Sequence, residues 1–232
     1  MMTQISLNGI KMHITRKRMR SLRIRICSPT GEVKISAPLR LSLKQIKHFI
    51  TNKIDWIKRQ QIKIFSQKRE LPKKFIDGEE HYFLGEKHLL KVFEKNTAAT
   101  ALIRKNIIEL HIKKNFTCEQ KRKILENFYR IELKKIIPEF ISVLEKKMNV
   151  TVKEFGIKKM KTRWGTCNPK AKRIWINLEL AKKPLICLQY LITHEMVHLL
   201  ERKHNKKFFA HMDHFMPSWR ECKNELRNST LH

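Results

Sequence analysis

Acidic residues are scarce in this chain. Only 21 Asp and Glu stand against 51 Lys and Arg among 232 residues, leaving a formal charge of +30. Such an imbalance sets up a long-range field that attracts polyanions: nucleic acid, nucleotides or anionic membrane surfaces. The cations are spread along the whole chain, often as Lys beside Ile or Asn, with no basic arm, RNA-binding signature or Cys-His finger among them. The charge therefore predicts nucleotide or nucleic-acid association of an unspecific kind. Cysteine is sparse too. Cys27, Cys118, Cys167, Cys187 and Cys222 are odd in number and lack any paired spacing, which excludes a disulfide framework and a CxxC zinc site and points to a reducing compartment. The six glycines build no Gly-rich phosphate loop. No apolar run is long enough to span a bilayer, and Met1 to Ile10 lacks the apolar centre of a signal peptide. A cytoplasmic location is the expectation. Repeats and low-complexity tracts are absent, and the length suffices to bury a proper core.

What is present centres on His194-Glu195-Met196-Val197-His198. Two imidazoles four apart on a helix point the same way, about one turn from each other, and can share one Zn²⁺. The glutamate between them then sits where it can take a proton from a bound water. Leu185 to Thr193 runs apolar into the motif, Leu199-Leu200 follow it, and Pro184 stands where a helix opens. A helix apolar on nearly all sides is a buried one. Burying two imidazoles and a carboxylate there costs several kcal/mol unless they are paired or bind a metal. The plainer alternative is a core helix with hydrogen-bonded histidines.

Catalytic zinc usually has three protein ligands, so a third is required. His204 lies six residues after His198, the offset of the HExxHxxGxxH pattern, although position 201 is Glu rather than Gly. The turn must then be made differently, with Asn205 suited to cap the following helix. His211 and His214 compete for the role, but their helical spacing suits surface or supporting positions better.

These residues, with Phe208-Phe209, resemble the YgjP-like metallopeptidase domain family, a relative of the SprT and WLM zinc proteases. Arg163-Trp164-Gly165-Thr166-Cys167 is similar to that family's R-W-G-[ST]-C motif, and Met216-Pro217-Ser218-Trp219 to its M-P-x-W segment. The likeness covers about residues 155–227 and extends more weakly to the N-terminal strands. It implies a zincin-like catalytic domain in which His194, His198 and His204 hold zinc and Glu195 is the general base. Two readings of Arg163 and Trp164 stand. In one, Arg163 faces the cleft and binds an anionic substrate group or a developing oxyanion. In the other, the Trp-Gly turn packs under the helix and Arg163 forms a salt bridge. Thr166 and Cys167 read as structural, and Met216 as a core residue rather than a floor beneath the metal.

The rest of the chain reads as α+β. Leu22–Ile26 and Val33–Ala37 alternate around Ser28 to Gly31, predicting a hairpin. Ser42 and Gln45 form a capping box opening one helix to about Phe65, and Lys68–Lys74 is a connector. Tyr82–Gly85 and Leu89–Phe93 form a second hairpin, and Ile107–Ile112 a further strand that holds His111. His81, His88 and His111 read as ordinary strand residues. Asn96–Thr100 is the best break, dividing a β-rich N-terminal region (1–100) from a metallopeptidase domain (101–232). Glu119–Met148 is a helix kinked or divided by Pro138. Val152–Ile157 and Arg173–Leu178 are strands flanking the Arg163 loop, and a strand at the cleft edge would hold an extended peptide by β-addition.

The leading expectation is a zinc metallopeptidase acting on protein or peptide. Zinc lowers the pKa of its water from about 15.7 toward about 7, and Glu195 takes the proton. The same site attacking a phosphoanhydride would make a nucleotide pyrophosphatase, favoured by the positive field but by no phosphate loop. A nucleic-acid-associated module with a structural zinc is the third reading, although such sites usually close with four ligands.

Overall fold

A computed structural model of the protein describes residues 2–66, 73–95 and 98–228. The chain is mixed α+β and divides into two compact units, Met1–Pro72 and Lys73–His232. Among the described residues no helix is long and apolar enough to cross a membrane.

In the first unit, β1 (Met2–Leu7), β2 (Ile10–Lys17), β3 (Arg23–Cys27) and β4 (Glu32–Pro38) form one sheet in the order β1-β2-β4-β3. The expected hairpin is β3–β4, antiparallel, while β4 also pairs in parallel with β2. Strict alternation places Met12, Ile14, Val33, Ile35 and Ala37 on one buried face. They pack against Ile46, Ile50, Ile54 and Ile57, each such side chain stabilising the unit by about 1.5–3 kcal/mol. The capping box is present, with Ser42 N–H donating to Gln45 Oε1 at 2.9 Å and Gln45 N–H to Ser42 Oγ at 3.2 Å. The single helix expected to reach Phe65 is instead two, α1 (Leu43–Thr51) and α2 (Ile54–Ser66). Asn52 caps α1 by donating its N–H back to His48 and Ile50 carbonyls. The apolar stripe survives the break, and that continuity made one helix look sufficient. Residues 68–72 of the expected connector lie outside the described residues.

The second unit opens with β5 (Glu80–Phe83), β6 (Glu86–Glu94), β7 (Thr100–Arg104) and β8 (Ile107–Ile112), ordered β5-β6-β8-β7. The second hairpin is β5–β6, turning at Leu84 and Gly85, both with positive φ. A Cβ at Gly85 would lie 2.8 Å from Pro184 Cα, so glycine lets the hairpin abut the segment that opens the helix carrying His194 and Glu195. The division expected near residue 100 falls inside this sheet. Thr100 starts β7, β7 pairs with β8, and β8 pairs with β6. The boundary between compact units accordingly lies at 72/73, and Asn96 and Thr97 lie outside the described residues. His81 and His88 are buried cross-strand neighbours, and His111 stacks on Phe93.

α3 (Cys118–Met148) is continuous for 31 residues, capped by a Thr117–Gln120 box, with Pro138 inside it. It is not divided. Leu133, Ile137, Ile141 and Leu144 are buried on both sides of the proline, and this packing holds the helix through the lost hydrogen bond. Beyond it, β9 (Glu154–Lys158), β10 (Gly165–Asn168) and β11 (Arg173–Asn177) form a three-stranded sheet ordered β10-β11-β9. A 3₁₀ turn over Leu178–Lys182 leads to α4 (Leu185–Val197), then α5 (Lys206–Phe215) and α6 (Trp219–Asn228). Part of the segment expected to be the Arg163 loop is thus the edge strand β10.

Candidate metal centre

α4 is the most apolar helix of the second unit. Cys187, Leu188, Ile192, Met196 and Val197 are fully buried. Within this enclosed helix Thr193 turns its hydroxyl back to the Gln189 carbonyl, whereas His194 and Glu195 line a cleft. His198 is the residue on which α4 ends, still in helical geometry at φ −65°, ψ −15°. The chain then turns through Leu199, Leu200 and Glu201, whose N–H groups donate to Met196 and Val197 carbonyls. Among the described residues Glu201 is not in the left-handed region. The turn therefore has no need of the glycine that the HExxHxxGxxH pattern carries. Glu201 contributes its carbonyl instead, 3.2 Å from His198 Nδ1. Asn205 caps α5 as expected, accepting from Phe208 N–H at 3.0 Å.

This turn brings His204 back over α4. The Nε2 atoms of His194 and His204 lie 3.1 Å apart, and one ligand atom from each of His194, His198 and His204 falls within a 4.8 Å cluster. Nitrogens bound to one tetrahedral zinc at 2.0–2.1 Å sit about 3.3 Å from each other, so the donor set fits that ion. With His198 Nδ1 turned to a carbonyl, its Nε2 is the nitrogen left for a metal. The Phe208 ring is the common floor, 5.0, 4.8 and 4.6 Å from the rings of His194, His198 and His204. His211 and His214 stay outside the cluster, with their rings against Phe215. Met216 is buried in the apolar core.

The cleft has a volume of ≈ 570 Å³ and is walled by the three histidines, Glu195, Arg163, Arg202 and the strand β10 with Pro169. Burial pushes Glu195 up to about 8, against the opposing pull of the Arg163 charge. Burial, then the charges of His198 and His204, hold His194 down to about 3, and burial lowers His198 as well. Neutral imidazoles are the form that ligates a metal. Cys167, in the same wall, is pushed up to about 12 by burial and by Glu195. Its thiol stays protonated.

Two further residues build this geometry: Asn177, which sequence reasoning did not single out, and Gly165, which it placed only in a Trp-Gly turn beneath the helix. Asn177, fully buried, donates to the Met160 and Arg163 carbonyls at 2.8 and 2.7 Å and accepts from the Met160 and Glu179 N–H groups. It ties down the segment that ends in Arg163. Gly165 lies against the HExxH motif: a Cβ there would meet Glu195 Oε1 at 2.7 Å and Leu191 Cδ2 at 3.0 Å. A Trp-Gly pair entering a strand was the available signal for the second, and an Asn closing an apolar strand for the first. Trp164 packs partly into the core and also lines a second hollow of ≈ 330 Å³ beside Glu195, with Tyr190, Leu191 and Leu226.

A family model for the YgjP-like metallopeptidase domain matches residues 20–229. The chain belongs to that family. Nearly its whole length is covered, well beyond the region that carries the sequence motifs. Among solved structures, this YgjP-like chain is similar to the metallopeptidase zymogen jannalysin of Methanocaldococcus jannaschii, with a TM-score of 0.35 and 20% identity over 39% of this chain and 92% of that one. No curated protein matches it.

Proposed function

We propose that this YgjP-like chain is a zinc-dependent peptidase whose ligands are His194, His198 and His204 and whose general base is Glu195. The observation that carries the reading is the convergence of three imidazoles with one buried carboxylate, all lining the same cleft. Three histidines facing an open cleft suit a catalytic site better than a structural one, which closes with four ligands. When bound there, Zn²⁺ supplies Lewis acidity, lowering the pKa of water from about 15.7 toward about 7 and polarising a carbonyl.

The chain's own residues do the rest. Glu195 accepts a proton from the attacking water and returns it to the departing amine. A cation among the imidazoles favours its ionised form over the neutral form that burial alone would favour. Arg163 lines the cleft within electrostatic reach of Glu195, where a guanidinium stabilises charge developing on the scissile carbonyl. β10 lies at the edge of its sheet and walls the cleft, so a peptide can add to it as an extended strand. The hollow between Trp164, Tyr190, Leu191 and Leu226 accommodates a side chain next to the bond being cut.

The test pairs wild type with Glu195→Gln, measuring bound zinc and turnover of an unstructured protein beside a nucleotide panel. The expected result is equal zinc in both and a loss of peptide cleavage of roughly 10²–10⁴-fold in the variant. Full activity of the variant, or metal-dependent cleavage of nucleotides alone, overturns the reading.

A further inference from the structure

The positive charge is not evenly shared between the two units. Residues 1–72 hold 17 Lys and Arg against 3 Asp and Glu, whereas the remaining 160 hold 34 against 18. Within the first unit the sheet concentrates this charge on one face. Its inner face is aliphatic and covered by α1 and α2. On its outer face Gln4, His13, Lys34 and Arg25 stand in one row across all four strands. Thr15, Ser36 and Arg23 form the neighbouring row. Arg23, Arg25 and Lys34 are exposed. The four strands contain a single acidic residue, Glu32, which lies 3.4 Å from His13 Nε2 and is ion-paired to Lys34 at 3.2 Å.

The make-up of the face narrows its partner. Arg and Lys interleaved with Ser, Thr and Gln hydroxyl and amide groups are the donors that contact phosphates. No Phe, Tyr or Trp occurs in these four strands, so nothing stacks on an unpaired base. The row through Gln4, His13, Lys34 and Arg25 likewise has no large apolar residue. The neighbouring row has a single one, Met2 at its β1 end, far short of the apolar face that inserts among lipid chains. Four strands about 4.8 Å apart make a surface about 15 Å wide, broad enough to touch several phosphates of a duplex, which carries one charge per about 1.7 Å. We infer that this outer sheet face is a docking surface for the phosphate backbone of duplex nucleic acid, without sequence preference. The inference is independent of peptide hydrolysis.

The test is fluorescence anisotropy of a labelled mixed-sequence DNA duplex, titrated with the full chain over a range of salt. Three proteins are compared: wild type, a face variant (Arg23→Gln, Arg25→Gln, Lys34→Gln) and an equally charged control (Lys134→Gln, Lys146→Gln, Lys147→Gln) altered at exposed positions of α3. The face variant is expected to bind at least tenfold more weakly at about 0.1 M salt. Its log–log salt slope should be shallower by about 2–3, at about 0.9 for each phosphate that is no longer neutralised. The control should change less than twofold, and Arg23→Lys with Arg25→Lys should bind as wild type. Equal weakening in face variant and control assigns binding to net charge and overturns the inference, as does a wild type that binds no duplex. If the face variant instead loses binding to phosphatidylserine vesicles while duplex binding is unchanged, the surface is a membrane one and the inference fails.

Discussion

Gly165 leaves open the space that the Glu195 carboxylate occupies: a Cβ on the strand would stand 2.7 Å from Oε1. The edge strand and the HExxH helix are therefore in contact at the one atom expected to handle the proton. Gly165→Ala should push the carboxylate aside while leaving the histidines in place. The expected outcome is full zinc content with kcat lower by roughly 10–100-fold, since a displacement of about 1 Å costs on that order. Unchanged kcat would show that Glu195 does not need this position.

His204 is the histidine least anchored by sequence pattern and most exposed to solvent. His204→Ala is expected to weaken zinc binding by more than roughly 100-fold, beyond the 10–100-fold typical of losing a group that only orients a ligand. His211→Ala and His214→Ala should leave it unchanged, because both rings pack on Phe215. Competition with a chromophoric chelator reads all three. A drop in either control would reassign the third ligand.

Asn177 satisfies two carbonyls and two N–H groups with one fully buried amide. Asn177→Leu fills the volume but strands those partners. A destabilisation of about 2–4 kcal/mol is expected in urea unfolding, together with a raised KM as the Arg163 segment loses its tie. A stability within about 0.5 kcal/mol of wild type, the range of an ordinary surface substitution, would remove Asn177 from this role.

Asp213 clasps the end of α5 to the start of α6, accepting from Trp219 Nε1 at 2.7 Å and Arg220 at 2.5 Å. The Arg220 hydrogen bond, then that of Trp219, holds its carboxyl below the usual 3.8. A folded pKa below the unfolded one means the clasp stabilises above pH 3.8 and is lost as pH falls through the lowered value. Asp213→Asn should lower the melting temperature slightly at neutral pH, and the gap from wild type should close in acid. A gap that is the same at every pH would mean the carboxylate charge contributes nothing.

Much of the site was legible because its signals are local. His194 and His198 are one helical turn apart whatever surrounds them, and Asn205 is a cap by its chemistry alone. His204 followed from an offset, but the missing glycine left its turn undefined until the structure showed an ordinary backbone at Glu201. The elements that eluded the sequence are the ones set by pairing. β2 gains its place from β4, further along the chain, while the β1–β2 hairpin across Asn8-Gly9 had a local turn signal that the sequence reading passed over. β7 joins a sheet across the point where composition suggested a division. β10 is too short to show a period.

The sequence by itself determined the spacing of His194, His198 and His204, the buried helix that carries the first two, the capping box at Ser42, and the excess of positive charge. These depend on neighbours within a few residues or on composition. The tertiary structure alone decided that Phe208 lies beneath three imidazoles, that Gly165 makes room for Glu195, that Asn177 holds the Arg163 segment, and that cations line up on one face of the first sheet. The reason is physical: contacts between residues far apart in the chain are chosen by packing and strand register, which no local pattern of residues encodes.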